Sequence, residues 1–303
     1  MISLNSFTFT EKMRDHKGII RFTDAESLQV KAAQVRLSTL KAISKAQKGA
    51  TGSAMSVIEM LVALYYGHLA TGPVMNFDPE NPGHPDQDYF VLSKGAAAPA
   101  LYSVLADLGF FDRSELDFLA KDGALLSMAQ GAKVPGVTFN NFVPGHGLSV
   151  ALGLALSLKM DRKNNKVFTV LGDGELQCGQ VWEAMMAAAH YKLDNLICLI
   201  DGNGVQGDSK LSAVMDIGSL QDKFEAFGWK VIQVTDGHDF DKLLVAIDRA
   251  FTVIRRPICI WCRTVPGKGV DFAEGKSSYQ DVPLSEGEMS VVIPKLEQLI
   301  CKN

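Results

Sequence analysis

The sequence predicts an α/β fold, a mostly parallel sheet with helices on both faces. Short apolar runs of strand length alternate with longer stretches whose apolar residues recur at helical spacing. Strands separated by helices in this way pair in parallel and are buried on both sides. The chain has 303 residues, 47% of them hydrophobic, which suits one large α/β domain or two modest ones. We read it as a single domain spanning residues 1–303, with no internal repeat and no low-complexity segment.

From the N-terminus, Ser27 to Ala46 carries Leu28, Val30, Val35, Leu37, Leu40 and Ile43 at helical spacing. Gly49-Ala-Thr-Gly-Ser53 breaks that pattern. Ser56 is expected to cap a helix through Tyr66, with Glu59 three residues on completing a capping box. Tyr89–Leu92 reads as a strand leading through Ser93-Lys-Gly95 into an Ala-rich helix that ends at Leu108. Leu148 to Lys159 is an apolar helix, and Val167–Leu171 a buried strand ending in Gly172-Asp-Gly-Glu175. A helix over Val181–His190 precedes the strand Leu196–Ile200. Two more βα steps follow: the strand Lys230–Val234 with the helix Phe240–Phe251, then the strand Pro257–Cys262. A last amphipathic helix runs from Ser285 to Leu299. Asp208–Ser212 and the Gly-rich Pro266–Ser278 read as loops on the active face.

Composition excludes several classes of function. With 30 basic and 34 acidic side chains the net charge is −4, so no basic face for nucleic acid is expected. No run of about 18 apolar residues predicts a membrane span. The N-terminal Met1-Ile-Ser-Leu-Asn-Ser-Phe7 lacks the build of a secretory signal. The five cysteines read as reduced residues of a cytoplasmic protein. Cys259 and Cys262 have CxxC spacing, but in a strand their thiols point to opposite faces.

The stretch from Val167 to Gln206 carries the chemistry. One strand ends in Gly172-Asp173-Gly174, the next in Asp201-Gly202-Asn203, and Asn203 follows Asp173 by 30 residues. Two side-chain oxygens therefore sit at the carboxyl ends of adjacent parallel strands, the edge at which open α/β sheets bind ligands. Glycines beside Asp173 let backbone approach a diphosphate, and the helix after it offers free N–H groups. A carboxylate, an amide oxygen and a backbone carbonyl suit a hard divalent cation such as Mg²⁺. An isolated Gly-Asp-Gly would be an ordinary βα turn; the paired element argues otherwise.

Around these residues the chain reads Leu171-Gly-Asp-Gly-Glu-Leu-Gln-Cys-Gly-Gln-Val-Trp-Glu-Ala184, then Leu193-Asp-Asn-Leu196 and Asp201-Gly-Asn203. Together with Val91-Leu-Ser-Lys-Gly95, Ala98-Pro-Ala-Leu-Tyr102, Pro135-Gly-Val137, Gly145-His-Gly-Leu-Ser149 and Pro266-Gly-Lys-Gly-Val270, this resembles the N-terminal half of transketolase, a thiamine diphosphate enzyme. The resemblance covers most of the chain and stops where the diphosphate-binding domain of a full transketolase would end. It therefore implies one subunit of a split enzyme, with a separate pyrimidine-domain partner supplying the activating glutamate, and two copies of each. The resemblance further implies Mg²⁺ on Asp173, Asn203 and the Val205 carbonyl. Gly172, Gly174 and Glu175 would line the diphosphate, with Pro144, Gly145 and Lys268 near the cofactor. For Lys268 a solvated loop lysine is the alternative. Glu183 matches an interface glutamate, or is a helix-surface residue. His146 matches the Gly-His-Gly variant of split members and either faces the site or does not.

Departures from the family pattern centre on substrate histidines. Ala50, Ala96 and Gln280 stand where the family has histidine, and the Gly-His-Pro expected near Ser127-Met-Ala-Gln130 is missing. Gly83-His84-Pro85 spells that tripeptide but falls in a Pro-rich loop. Phe142-Val-Pro-Gly145 replaces Gly-Ser-Leu-Gly, and Cys178 replaces a further interface glutamate. Alanine cannot hydrogen-bond a sugar hydroxyl, and each unpaired polar group costs about 1–3 kcal/mol. Glutamine at 280 bonds but does not titrate near neutrality. The expectation is a transferase moving a two-carbon ketol or acyl unit between small molecules with altered donor choice, a 2-oxo acid among the candidates. A non-catalytic paralogue and an ordinary split transketolase are the alternatives.

Overall fold

The computed structural model describes residues 12–15, 17–128, 133–139 and 143–301, and only the backbone of residues 12–14. The N-terminal segment, Ala129, Gln130 and Phe142, to which three of the sequence readings refer, lie outside the described residues. The fold is the expected one. β5 (Tyr89–Leu92), β6 (Val167–Gly172), β7 (Leu196–Gly202), β10 (Lys230–Val234) and β11 (Ile258–Arg263) form one sheet in the order β10-β11-β7-β6-β5. All four neighbouring pairs are parallel. Three two-stranded ribbons stand apart from it: β1 (Lys12–Arg14) with β2 (Ile20–Phe22), β3 (His68–Leu69) with β4 (Gly72–Pro73), and β8 (Val205–Gln206) with β9 (Ser209–Lys210).

Alternation along the sheet strands builds two core layers. Phe90, Phe168, Val170, Ile197, Leu199, Ile258 and Ile260 face one layer. It is closed by α1 (Ala25–Ala46), α3 (Ile58–Tyr66), α4 (Ala98–Asp107), α9 (Phe240–Phe251) and α10 (Glu286–Cys301). Val91, Val167, Leu171, Leu196, Cys198 and Ile200 face the other, against α5 (His146–Met160), α6 (Gly179–His190) and α8 (Leu220–Ala226). Cys259 belongs to the second layer and Cys262 to the first, as alternation requires. All five cysteines are free. Among the described residues no helix is long and apolar enough to cross a membrane.

Helix ends follow local chemistry. Asp24 caps α1 by accepting from the Ser27 N–H at 2.7 Å, and Asp239 caps α9 through the Lys242 N–H at 3.1 Å. Two expectations around residues 49–59 are corrected. Gly49–Ser53 is not wholly a break, because Thr51–Met55 forms a short buried helix, α2. Its free N–H groups are satisfied from outside: Thr51 and Ser53 donate to the carbonyls of Val282 and Gln280 at 3.1 Å each. Ser56 does not cap α3, whose N-cap is Val57 with no side-chain bond. The Ser56 hydroxyl donates instead to Asp201, and Glu59 is drawn into an ion pair with Arg36. The Asp208–Ser212 loop also contains structure, namely β9 and the start of the short helix α7 (Leu211–Met215).

Candidate functional site

The carboxyl ends of β6 and β7 meet in register, Gly172 opposite Asp201. Beyond Gly172 the chain turns into a 3₁₀ segment, Asp173–Gln177, and beyond Gly202 it continues through Asn203 and Gly204 into β8. The Asp173 carboxylate accepts from the Gly174 N–H at 2.9 Å and from the Gly204 N–H at 2.7 Å. It therefore lies against the backbone that joins Asn203 to Val205, so the two strand-end segments expected to hold a cation lie side by side. Asn203 is set by the Val205 N–H, which donates to its Oδ1 at 3.0 Å. Gly204 adopts φ +70°, a turn that glycine makes without strain.

The charge around Asp173 is unbalanced. Burial, and then the neighbouring Asp201, push its carboxyl up to about 6, against the favourable pull of the Gly204 N–H and Lys94. Two buried carboxylates thus share one cation. A divalent cation at Asp173 would correct that deficit, and the donor set has the hardness Mg²⁺ requires. Among the described residues no group of three or more His, Cys, Asp or Glu side chains is arranged to hold a metal ion.

Reading the motifs one at a time missed how Asp201 acts. Its Oδ2 accepts from the Lys94 ammonium, from the Ser56 hydroxyl at 2.6 Å and from the Asn203 amide at 3.3 Å. Its Oδ1 accepts from the Thr264 hydroxyl. Lys94 also donates to Ser56 Oγ at 3.1 Å, and its aliphatic stem lies beside Gly172. One buried carboxylate therefore ties together the residues after β5, α2, β7 and β11. Lysine in Ser-Lys-Gly and aspartate in Asp-Gly-Asn were the available signals.

Glu175 is a second tie. Its carboxylate accepts from the Ser93 hydroxyl at 2.6 Å and from the N–H groups of Gly145 and Gly172 at 2.7 Å each. Burial still raises its carboxyl above the ordinary range. Both oxygens face protein donors, so Glu175 ties the ends of β5 and β6 to the N-terminus of α5. Gly145 sits at the N-cap of α5 with φ +78°, where a Cβ would fall 2.8 Å from the Cβ of Cys178. Pro144 is exposed beside it.

The remaining expected site residues are more scattered. His146 Nδ1 lies 3.2 Å from Gln180 Oε1 on α6, so the ring is turned toward that helix. Glu183 lies on the exposed side of α6. Lys268 is half-buried and pairs with Glu274 at 3.5 Å. Ala50 is buried, whereas Ala96 is exposed. Gln280 is buried against α2; its amide donates to Ser53 Oγ at 2.9 Å, and its Oε1 is buried without a partner. Gly52 makes that approach possible, since a Cβ there would fall 2.7 Å from the Gln280 Cα.

Residues 27–297 match the family described as transketolase, thiamine diphosphate binding domain. The chain is 38% identical over 272 residues to the 6-deoxy-6-sulfo-D-fructose transketolase subunit SqwG of Clostridium sp. (strain MSTE9), covering 89% of this chain and 96% of that protein. It is 34% identical over 280 residues to one of the subunits of an apulose-4-phosphate transketolase from Phocaeicola vulgatus, covering 90% and 97% respectively. Among solved structures, transketolase from Campylobacter jejuni superposes with a TM-score of 0.84 at 25% identity. That match covers 91% of this chain but 43% of the other, so the chain spans less than half of a full-length transketolase.

Proposed function

The chain belongs to the transketolase family, and from that premise we propose that it is the diphosphate-binding subunit of a split, thiamine-diphosphate- and Mg²⁺-dependent transferase. The observation that carries this reading is the Asp173 carboxylate seated on the Asn203–Val205 backbone at 2.7 Å. A non-catalytic scaffold has no use for a buried carboxylate pair short of positive charge. The two bacterial relatives named as subunits are each covered over more than nine-tenths of their length, which supports a separate partner chain. We assign that partner the pyrimidine-binding domain, in an assembly with two copies of each chain, in the cytoplasm.

In this reading Asp173, Asn203 and the Val205 carbonyl hold Mg²⁺, and Gly172 and Gly174 leave room for the diphosphate. Asp201, Lys94 and Glu175 keep that edge rigid through the bonds described above. Thiamine diphosphate, when bound, supplies the nucleophilic carbon and the electron sink for carbon–carbon cleavage. The protein's share is orientation and exclusion of water. The substrate side departs from an ordinary pentose phosphate enzyme, because Ala50 presents only a methyl group and the Gln280 amide is committed to Ser53. We propose a two-carbon ketol donor with a changed hydroxyl or headgroup pattern. The relatives named for a sulfonated deoxy-ketose and for apulose 4-phosphate support a ketose over a 2-oxo acid.

A donor screen of the complex reconstituted with its pyrimidine-domain subunit tests the proposal. Deoxy, sulfonated and branched ketoses should be turned over, with xylulose 5-phosphate a poor donor. Turnover by the isolated chain would refute the split assignment. Xylulose 5-phosphate at an ordinary enzyme efficiency, about 10⁴ M⁻¹s⁻¹ or above, would refute the changed donor.

A further inference from the structure

We propose that His238 is a positioning residue, held by Glu59 and clamping the Val265 end of the loop that carries Lys268. The inference rests on the reading above, in which the edge beside that loop binds the cofactor.

The loop leaves β11 at Arg263, beside the end of β7 that bears Asp201 and Asn203. Its entry is pinned at three of the first four residues. Thr264 donates its hydroxyl to Asp201, the Val265 N–H donates to His238 Nε2 at 2.8 Å, and the Gly267 N–H donates to the Gly52 carbonyl at 3.2 Å. A backbone N–H can only donate, so Nε2 must accept and carries no proton. The ring's proton is therefore on Nδ1, which donates to Glu59 Oε2 at 2.8 Å. Both ring nitrogens are used, and the side chain of His238 is 7% exposed.

The base under the histidine is rigid. Glu59 is fully buried, and its other oxygen meets Arg36 at 2.5 Å. The Arg36 stem in turn supports the loop from below: a Cβ on Gly269 would come within 2.6 Å of Arg36 Nε. Helices α1 and α3 and the turn before α9 thus contribute one residue each to a seat beneath residues 265–269. Nothing in the binding of Mg²⁺ or diphosphate requires these three residues. They hold the backbone from which Lys268 projects.

Imidazole is suited to this task because it presents a donor and an acceptor on opposite sides of one ring. Asparagine at 238 retains a donor for Glu59 but does not reach Val265. Glutamine reaches Val265 with an acceptor but leaves no donor at the Nδ1 position. The two variants therefore separate the two bonds.

The test is amide hydrogen exchange on the wild-type chain and on His238→Asn, His238→Gln and His238→Ala at one pH, read in peptides spanning 264–276. Peptides of β7 serve as the internal control. The Asn and Ala variants should speed exchange at Val265 and Gly267 by about tenfold or more with β7 unchanged, and Gln should restore protection at Val265. Thiamine diphosphate affinity in the presence of Mg²⁺ should weaken in the Asn and Ala variants and recover in Gln. Unchanged loop exchange in Asn and Ala would overturn the proposal, as would a rise shared equally by β7. An imidazole ¹⁵N spectrum showing Nε2 protonated would overturn it as well. Wild-type chain that binds no thiamine diphosphate, alone or with its partner, would defeat the functional reading while leaving the exchange result to decide the clamp.

Discussion

Replacing Glu59 with glutamine removes a buried charge whose contribution to stability varies with pH in a direction set by its surroundings. Burial alone would raise this carboxyl, but Arg36 and then His238 outweigh burial and lower it from 4.5 to about 2. A carboxyl lowered in the folded state favours folding above its unfolded value, and that contribution fades as pH falls from about 4.5 toward about 2. At ~1.4 kcal/mol per unit, the depression corresponds to about 3 kcal/mol at neutral pH. The independent expectation for removing one partner of a buried ion pair is about 3–5 kcal/mol, since Arg36 is left uncompensated. The two figures agree in scale. Denaturant midpoints of wild type and Glu59→Gln, measured side by side from pH 7 to pH 2.5, check it. The gap should be widest near neutrality and should narrow below pH 4.5, where the carboxyl of the unfolded chain takes up a proton while that of the folded protein stays ionised down to about 2. A gap that stays constant over that range would refute the reasoning.

Three further outcomes are expected. Asp173→Ala should abolish the thermal stabilisation that thiamine diphosphate and Mg²⁺ confer on the assembled complex, as followed by thermal shift; undiminished stabilisation would remove Asp173 from the cation site. Gly147→Ala should destabilise the chain by about 1–3 kcal/mol in denaturant titrations, because its Cβ would fall 2.7 Å from the Cα of Ser93 and backbone cannot give way cheaply. Trp229→Ala should cost about 3–5 kcal/mol in the same titrations, because the side chain is fully buried and its indole N–H donates to the Met185 carbonyl at 3.0 Å.

The pattern Ser-x-x-Glu shows where sequence reading succeeds and where it stops. At Ser285–Glu288 it forms a capping box: the Glu288 carboxylate accepts from the Ser285 N–H at 2.8 Å, and Ser285 Oγ accepts from the Glu288 N–H at 3.3 Å. At Ser56–Glu59 the same spacing gives no cap, since each side chain finds a stronger partner far along the chain. Local rules are blind to Arg36 and Asp201. Strand ends were legible for the converse reason. A buried run terminated by Gly-Asp-Gly or Asp-Gly-Asn fixes both the edge and the oxygen, so Asp173 and Asn203 could be placed without tertiary knowledge. The Asp201 network and the inward turn of Gln280 were not legible, because both depend on contacts across more than one hundred residues.

The spread of the Asp201 ligands along the chain has a consequence for synthesis. Ser56 and Lys94 precede Asp201 by 145 and 107 residues, and Thr264 follows it by 63. Closing such loops carries an entropic cost that only the completed network offsets. A nascent chain still lacking β11 has the Gly-Asp-Gly turn and Asn203 but no partner for Asp201 Oδ1, and the loop bearing Lys268 does not yet exist. The proposed cofactor site is therefore completed only once Thr264 and the loop after it have been made. A ribosome stalled before Ile258 holds a chain with four of the five sheet strands and Asp201 still without its Thr264 partner.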